Sequence, residues 1–206
     1  MFKLYYAPGT CALASHIALQ EAGCDYKAER LDFKANQQNS PDYLAINPKG
    51  RVPALVTEHG TLTETPATLA YIAQAYPAAN LAPLADPFLF AEIQAFNCYL
   101  CATLHVAHAH GRRGNRWTDD QTAIDAMKRF VPTSMSAAME LVERGMLKGP
   151  WVMGEAYTIC DPYLFTLGLW LEGDGVDMKT LPKVMAHRKR MSARAAVLRV
   201  LAVEQG

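Results

Sequence analysis

Five groups of residues in this chain of 206 have types and spacings that chemistry could use. The first is Cys11, which follows a short β-type run and the Pro8-Gly9 turn and opens a helical segment. Backbone N–H groups and the helix dipole favour an anion at such a position, so a thiol of lowered pKa is expected. Most free cysteines are buried and inert, but this placement favours the reactive reading. Ala14 stands three residues on, so no Cys-x-x-Cys pair exists to close an internal disulfide, which argues against a dithiol oxidoreductase. Tyr6, Thr10 and Ser15 are near enough in sequence to be rival thiolate donors, although Tyr6 fits better as a packed strand residue.

The second and third groups suit a peptide-like ligand. Proline at the start of a core strand, as at Val52-Pro53, removes a ladder donor. With a cis bond the chain would turn there and leave the Val52 backbone to pair with an extended ligand; an ordinary trans proline is the alternative. Glu64-Thr65-Pro66 reads as a helix start, with Thr65 as N-cap and Pro66 as the first helical residue. Such a terminus takes a carboxylate on its N–H groups and hydroxyl, while Glu64 can receive an ammonium, so an amino-acid head group would satisfy both. A plain cap beside an exposed Glu is the competing explanation.

Cys98, Cys101, His105 and His108 fall on one face of a single predicted helix and at first resemble a metal site. The outer two are about 15 Å apart along the axis, whereas zinc ligands converge within about 2.3 Å of one ion. The zinc reading fails, no metal is expected, and the face is better read as the wall of a cleft with His105 as hydrogen-bond donor or proton relay. Thr158-Ile-Cys-Asp161 is a capping box with Asp in the acidic position, and its role is structural.

The elements that must position these residues change character along the chain. Strand signals at Phe2–Ala7, Tyr26–Asp32 and a hairpin over Val52–Thr57 and Thr61–Thr63 alternate with helical signals at Ala12–Ala22 and Thr65–Tyr76. Residues 36 to 47 read as loop with room for one helical turn after Pro41. Pro77, Pro83 and Pro87 mark a linker, after which strand signals vanish and helices are predicted over Phe88–Gly111, Asp119–Gly145, Thr158–Glu172 and Leu181–Val203. An α/β half followed by an all-α half implies two domains, 1–77 and 88–206, joined by a linker over 78–87.

Lys plus Arg and Asp plus Glu both number 20, and no basic run supplies the footprint that nucleic acid needs. The longest apolar run, near Tyr163 to Leu171, is too short to cross a membrane, and Pro8-Gly9 interrupts any signal-peptide pattern. Five scattered cysteines fit a reducing, cytoplasmic setting better than a disulfide framework.

In this order the features resemble the bacterial, beta-class glutathione S-transferases. The matching stretches are Leu4–Cys11, Ala14–His16, Ile46–Leu55, Thr63–Thr65, Leu104-His105 and Thr158–Phe165, which together span nearly the whole chain. The resemblance implies a thioredoxin-like N-terminal domain, an all-α C-terminal domain and a homodimer. It also implies glutathione as co-substrate, with a small hydrophobic electrophile held against the helical domain. Under it, Cys11 faces the glutathione sulfur with His105 close by, and the Val52 backbone pairs with the cysteinyl portion beside a cis Pro53. Glu64 and Thr65 hold the γ-glutamyl head, and Lys34 is similar to a lysine at the glycine end. Cys98 falls where some members carry Asn, with Asn97 about 100° away around the helix. The expected chemistry is attack of the glutathione thiolate on the electrophile, with Cys11 as hydrogen-bond donor or as partner in a mixed disulfide. Alternatives are a glutathione-dependent reductase or dehalogenase, or a non-catalytic carrier of apolar ligands.

Overall fold

The computed structural model describes residues 1–205. Its first half is built on four strands: β1 (Phe2–Tyr6), β2 (Tyr26–Arg30), β3 (Ala54–Thr57) and β4 (Gly60–Thr63). They lie in the order β2-β1-β3-β4, with β1 and β2 parallel and the other pairs antiparallel. A parallel pair needs a crossover, and helix α1 (Ala12–Ala22) supplies it. This is the thioredoxin-like arrangement. Leu4 and Tyr6 alternate onto the buried face of β1, at 0% and 3% exposure. Every residue of α1 from Ala12 to Leu19 is buried, as expected of a helix apolar nearly all round. Gly23, at φ 65°, closes it in the left-handed conformation.

Strand β2 stops at Arg30, two residues short of expectation, because the Asp32 carboxylate accepts the N–H groups of Lys34 and Ala35 and turns the chain. A short helix α2 (Pro41–Leu44) follows, and then the β3–β4 hairpin. Helix α3 (Thr65–Ala75) begins one residue earlier than the sequence suggests: Glu64 occupies the cap position and Thr65 is already helical.

The second half is helical. Helix α4 (Pro87–Tyr99) is capped by Asp86, whose carboxylate accepts from Phe88 and Leu89 N–H at 2.9 and 3.0 Å. It does not run straight into α5 (His105–Arg113): residues Leu100–Leu104 form a wide π-helical turn between them. Helix α6 (Gln121–Leu141), α7 (Cys160–Gly168), α8 (Pro182–Ser192) and α9 (Ala195–Gln205) complete the bundle. The single helix expected over Leu181–Val203 is therefore two, broken where the Arg194 guanidinium turns to grip Glu21 of α1 at 2.6 and 2.9 Å.

Helix α7 is the central post, with all nine of its residues buried. The capping box holds: Asp161, fully buried, accepts from Thr158 N–H at 2.7 Å, from Val152 N–H at 2.8 Å and lies 3.0 Å from His187 Nε2. Leu13 and Ile17 of α1 pack on Phe165, Met191, Val197 and Val200, which fastens the sheet half to the helical half through apolar burial. A buried pair, His16 Nδ1 and Glu204 Oε1 at 2.9 Å, ties α1 to α9.

Candidate functional site

Where the two halves meet they leave a cleft of about 650 Å³. One wall comes from the β1–α1 loop, the segment before β3 and the start of α3; α5 and the turn after it form the other. Cys11, Val52, Pro53, Glu64, Thr65 and His105 all line it, so six of the eight expected residues converge.

Cys11 lies in the cleft lining, 8% exposed, and its thiol donates to the Val52 carbonyl at 3.4 Å. Burial pushes its pKa up to about 11, although Thr65 and Arg113 act in the opposite direction. The expected lowering is therefore overturned. A helix start attracts a thiolate only if the anion is solvated or paired, and here desolvation outweighs the dipole. The Val52–Pro53 bond is cis. The Val52 carbonyl takes the Cys11 thiol, while its N–H has no partner among the described residues.

Glu64 sits at φ 70° and ψ 124°, a conformation that side chains with a Cβ rarely adopt. Its carboxylate is not free: the Lys49 ammonium, which also donates to Thr63 Oγ1 at 2.6 Å, pairs with it. Thr65 is 3% exposed beside Cys11, so its hydroxyl addresses the cleft floor rather than capping α3.

From the opposite wall, His105 meets Trp170 edge-on with ring centroids 5.2 Å apart. His108 stacks on the same indole at 4.2 Å, and its Nδ1 lies 2.7 Å from an Asp174 carboxylate oxygen. Burial, followed by the neighbouring cations, lowers the pKa of His105 to about 4, so its imidazole is neutral at physiological pH.

Two expected residues stay outside. Lys34 is exposed and its neighbour Phe33 lines the cleft instead. Cys98 is exposed on α4, and Asn97 beside it is fully buried with neither amide atom hydrogen-bonded. The π-turn is the reason the four Cys and His residues do not share one face: it shifts the helical phase, so Cys101, His105 and His108 enter the cleft and Cys98 does not. No group of three His, Cys, Asp or Glu side chains placed to hold a metal occurs among the described residues.

Of the rival thiolate donors, Thr10 lines the cleft but donates to Ala7 O at 2.7 Å, Ser15 is held by Thr68 at 2.7 Å, and Tyr6 is packed in the sheet. Val106, His108, Trp117 and Trp170 belong to the lining, while Phe96 is buried in the helical core. Sequence reasoning missed Arg51, Arg113, Arg116 and Tyr163. Arg51 stands inside the recognisable Ile46–Leu55 stretch and Tyr163 inside Thr158–Phe165; Arg113 and Arg116 follow from how helices cross, which no local pattern encodes.

Residues 1–74 match the family model of the glutathione S-transferase N-terminal domain. A glutathione S-transferase, GstA, of Escherichia coli is 33% identical, the alignment covering 98% of each chain. The chain belongs to the glutathione S-transferases. Among solved structures, a Sulfitobacter glutathione transferase homologue with bound glutathione superposes with a TM-score of 0.95 at 46% identity, covering 98% of both chains. A beta-class glutathione S-transferase of Sphingomonas chungbukensis gives 0.85 at 31% identity, again over 98% of each. This glutathione transferase thus pairs the thioredoxin-like half with the helical half over its full described length. No helix among its described residues is long and apolar enough to cross a membrane.

Proposed function

We propose that this transferase lays glutathione along the floor of the cleft, with its sulfur at Cys11, and directs the thiolate onto a small electrophile with an apolar body. The Val52 N–H pairs with the cysteinyl carbonyl, adding the tripeptide beside β3 as a short extra strand. Thr65 and the first N–H groups of α3 receive the γ-glutamyl carboxylate, and Glu64 receives its ammonium in competition with Lys49. Lys34 serves the glycine end where the ligand runs past Phe33.

The observation that carries this reading is the Cys11 thiol, hydrogen-bonded to Val52 inside the cleft. At a pKa of about 11, roughly one Cys11 in three thousand is ionised at pH 7.5. That population favours a donor over a nucleophile. On glutathione binding the S–H turns from the Val52 carbonyl to the glutathione sulfur and stabilises it as thiolate, without a mixed disulfide. Neutral His105 lends an N–H or a lone pair to the reacting sulfur from the α5 side.

The domains divide at 1–77 and 88–206, with 78–87 as linker. The exposed side chains of Leu84, just before α4, and of Phe88 and Leu89 at its start support a homodimer, and Cys98, exposed outside the cleft, would contact glutathione only after a rearrangement. All five cysteines are free, which supports a cytoplasmic setting.

Calorimetry with glutathione, then conjugation of a chloronitrobenzene by Cys11→Ala and Cys11→Ser, tests the assignment. Ser should keep more activity than Ala because a hydroxyl can donate. Full activity in both would remove Cys11 from the chemistry, and a trapped Cys11–glutathione disulfide during turnover would favour the exchange route.

A further inference from the structure

The cleft as a whole is electrostatically lopsided. Four side-chain cations, Lys49, Arg51, Arg113 and Arg116, line a space that holds one carboxylate, Glu64. Lys49 is already engaged by that carboxylate. The three guanidiniums have no acidic partner among the described residues; the arginines that do, Arg144, Arg188 and Arg194, sit elsewhere. Because the whole chain is neutral, with 20 basic and 20 acidic residues, this excess is a local construction. Its field reaches the reacting centre: after burial and His108, Arg113, Arg116 and Arg51 help depress His105, and after burial Arg113 and Arg51 depress Arg116. Like charges gathered in a concave site cost free energy unless an anion joins them.

Glutathione accounts for part of the excess. Its head group is neutral overall, its glycyl carboxylate contributes one negative charge and its thiolate a second. Three unpaired guanidiniums against two charges leave one cation over. Arg113 closes α5 and Arg116 follows it in the next turn, beside Trp117 and one turn or more from Val106 and Ala109. That is a flat aromatic and apolar surface next to a fork that binds carboxylates in two-pronged fashion.

Resting on the transferase reading, we propose that the preferred electrophile is an aromatic carboxylate, its ring against Trp117 and Val106 and its carboxylate on Arg113 and Arg116. In the reaction with an aryl chloride, the glutathione sulfur forms the new C–S bond with its own electron pair. The C–Cl bond breaks with chloride taking its pair, and the thiol proton passes to water.

The test compares 4-chloro-3,5-dinitrobenzoate with the matching 4-chloro-3,5-dinitrobenzamide, which removes the charge and keeps the leaving group. One charge-assisted pair in a partly solvated site is worth about tenfold in KM. The carboxylate should therefore show a KM about tenfold or more below the amide at low salt. The Arg113→Gln/Arg116→Gln double variant should bring the ratio near one, and Arg116→Gln alone, at an exposed position, should move it part of the way. Equal KM values in the wild type would overturn the inference. So would an unchanged ratio in the double variant accompanied by weaker glutathione binding in calorimetry, which would assign both arginines to glutathione. If the wild type binds no glutathione at all, the transferase reading itself falls and this inference falls with it.

Discussion

The indole Nε1 of Trp170 donates to the carbonyl of Gly9 at 3.1 Å, joining the helical half to the loop that carries Cys11. Because the same ring meets both His105 and His108, it fixes the two cleft walls relative to each other. Trp170→Phe keeps most of the apolar area but loses the donor. One neutral hydrogen bond is worth about 1 kcal/mol, so the melting temperature should fall by only a few degrees. The kcat should fall about fivefold or more, since the walls lose their register. Thermal melts alongside steady-state kinetics check this; equal losses in an outward-facing control residue would refute it.

Cys11 should behave as an unreactive thiol near neutrality. At pH 8, iodoacetamide should modify exposed Cys98 well before Cys11, read by peptide mass spectrometry. The folded pKa of about 11 exceeds the ordinary 9.0, so the folded state holds the proton more tightly. The stability tied to it is complete below pH 9 and is lost as pH rises through 11, an effect of roughly 2 to 3 kcal/mol. Cys11→Ala should flatten that loss in urea denaturation.

His105 has the opposite sign. Its pKa is depressed from 6.5 to about 4, so its contribution is present above pH 6.5 and is lost as pH falls toward 4. A proton NMR titration of the C–H resonances should show one imidazole that stays neutral down to about pH 5. The His105→Gln variant should lose less stability than the wild type between pH 7 and pH 4.5.

Glu64 holds a strained backbone where its carboxylate is needed. Glu64→Gly relieves a conformation costing about 1–3 kcal/mol and forfeits about 1 kcal/mol to the freer unfolded chain. The melting temperature should stay level or rise, while the glutathione Kd should weaken about tenfold or more. A large fall in melting temperature would show that the strain is not real.

Asp161→Ala should be the most damaging substitution in the set without touching the cleft. It leaves two buried N–H groups unsatisfied and His187 without its partner, for about 3–5 kcal/mol. Urea denaturation reads the loss directly.

Much of this was legible in the residues. Gly23, Pro53, Asp86 and Thr158-Asp161 punctuate the chain, and local punctuation is what a linear pattern carries. Cys11 and His105 were found because loop position and type agree with a known family. The ionisation state of Cys11 was not legible, since it depends on how completely other segments cover the sulfur. Nor were Arg113 and Arg116, whose meaning arises only when α5 is set against the segment before β3. The offset of Cys98 escaped because the apolar pattern looked continuous from Phe88 to Gly111.

That offset has a further consequence. The wide turn at Leu100–Leu104 splits one rod into two separately aimed halves, leaving Cys98 of α4 outside the cleft and turning His105 of α5 into it. Tightening those five residues into regular α-helix without removing any would swing His105 by about 100° away from the sulfur, leaving the core apolar content untouched, whereas deleting one residue would keep its direction. Five residues therefore act as a phase adjuster: the width of their turn decides which side chains this enzyme shows to its substrates.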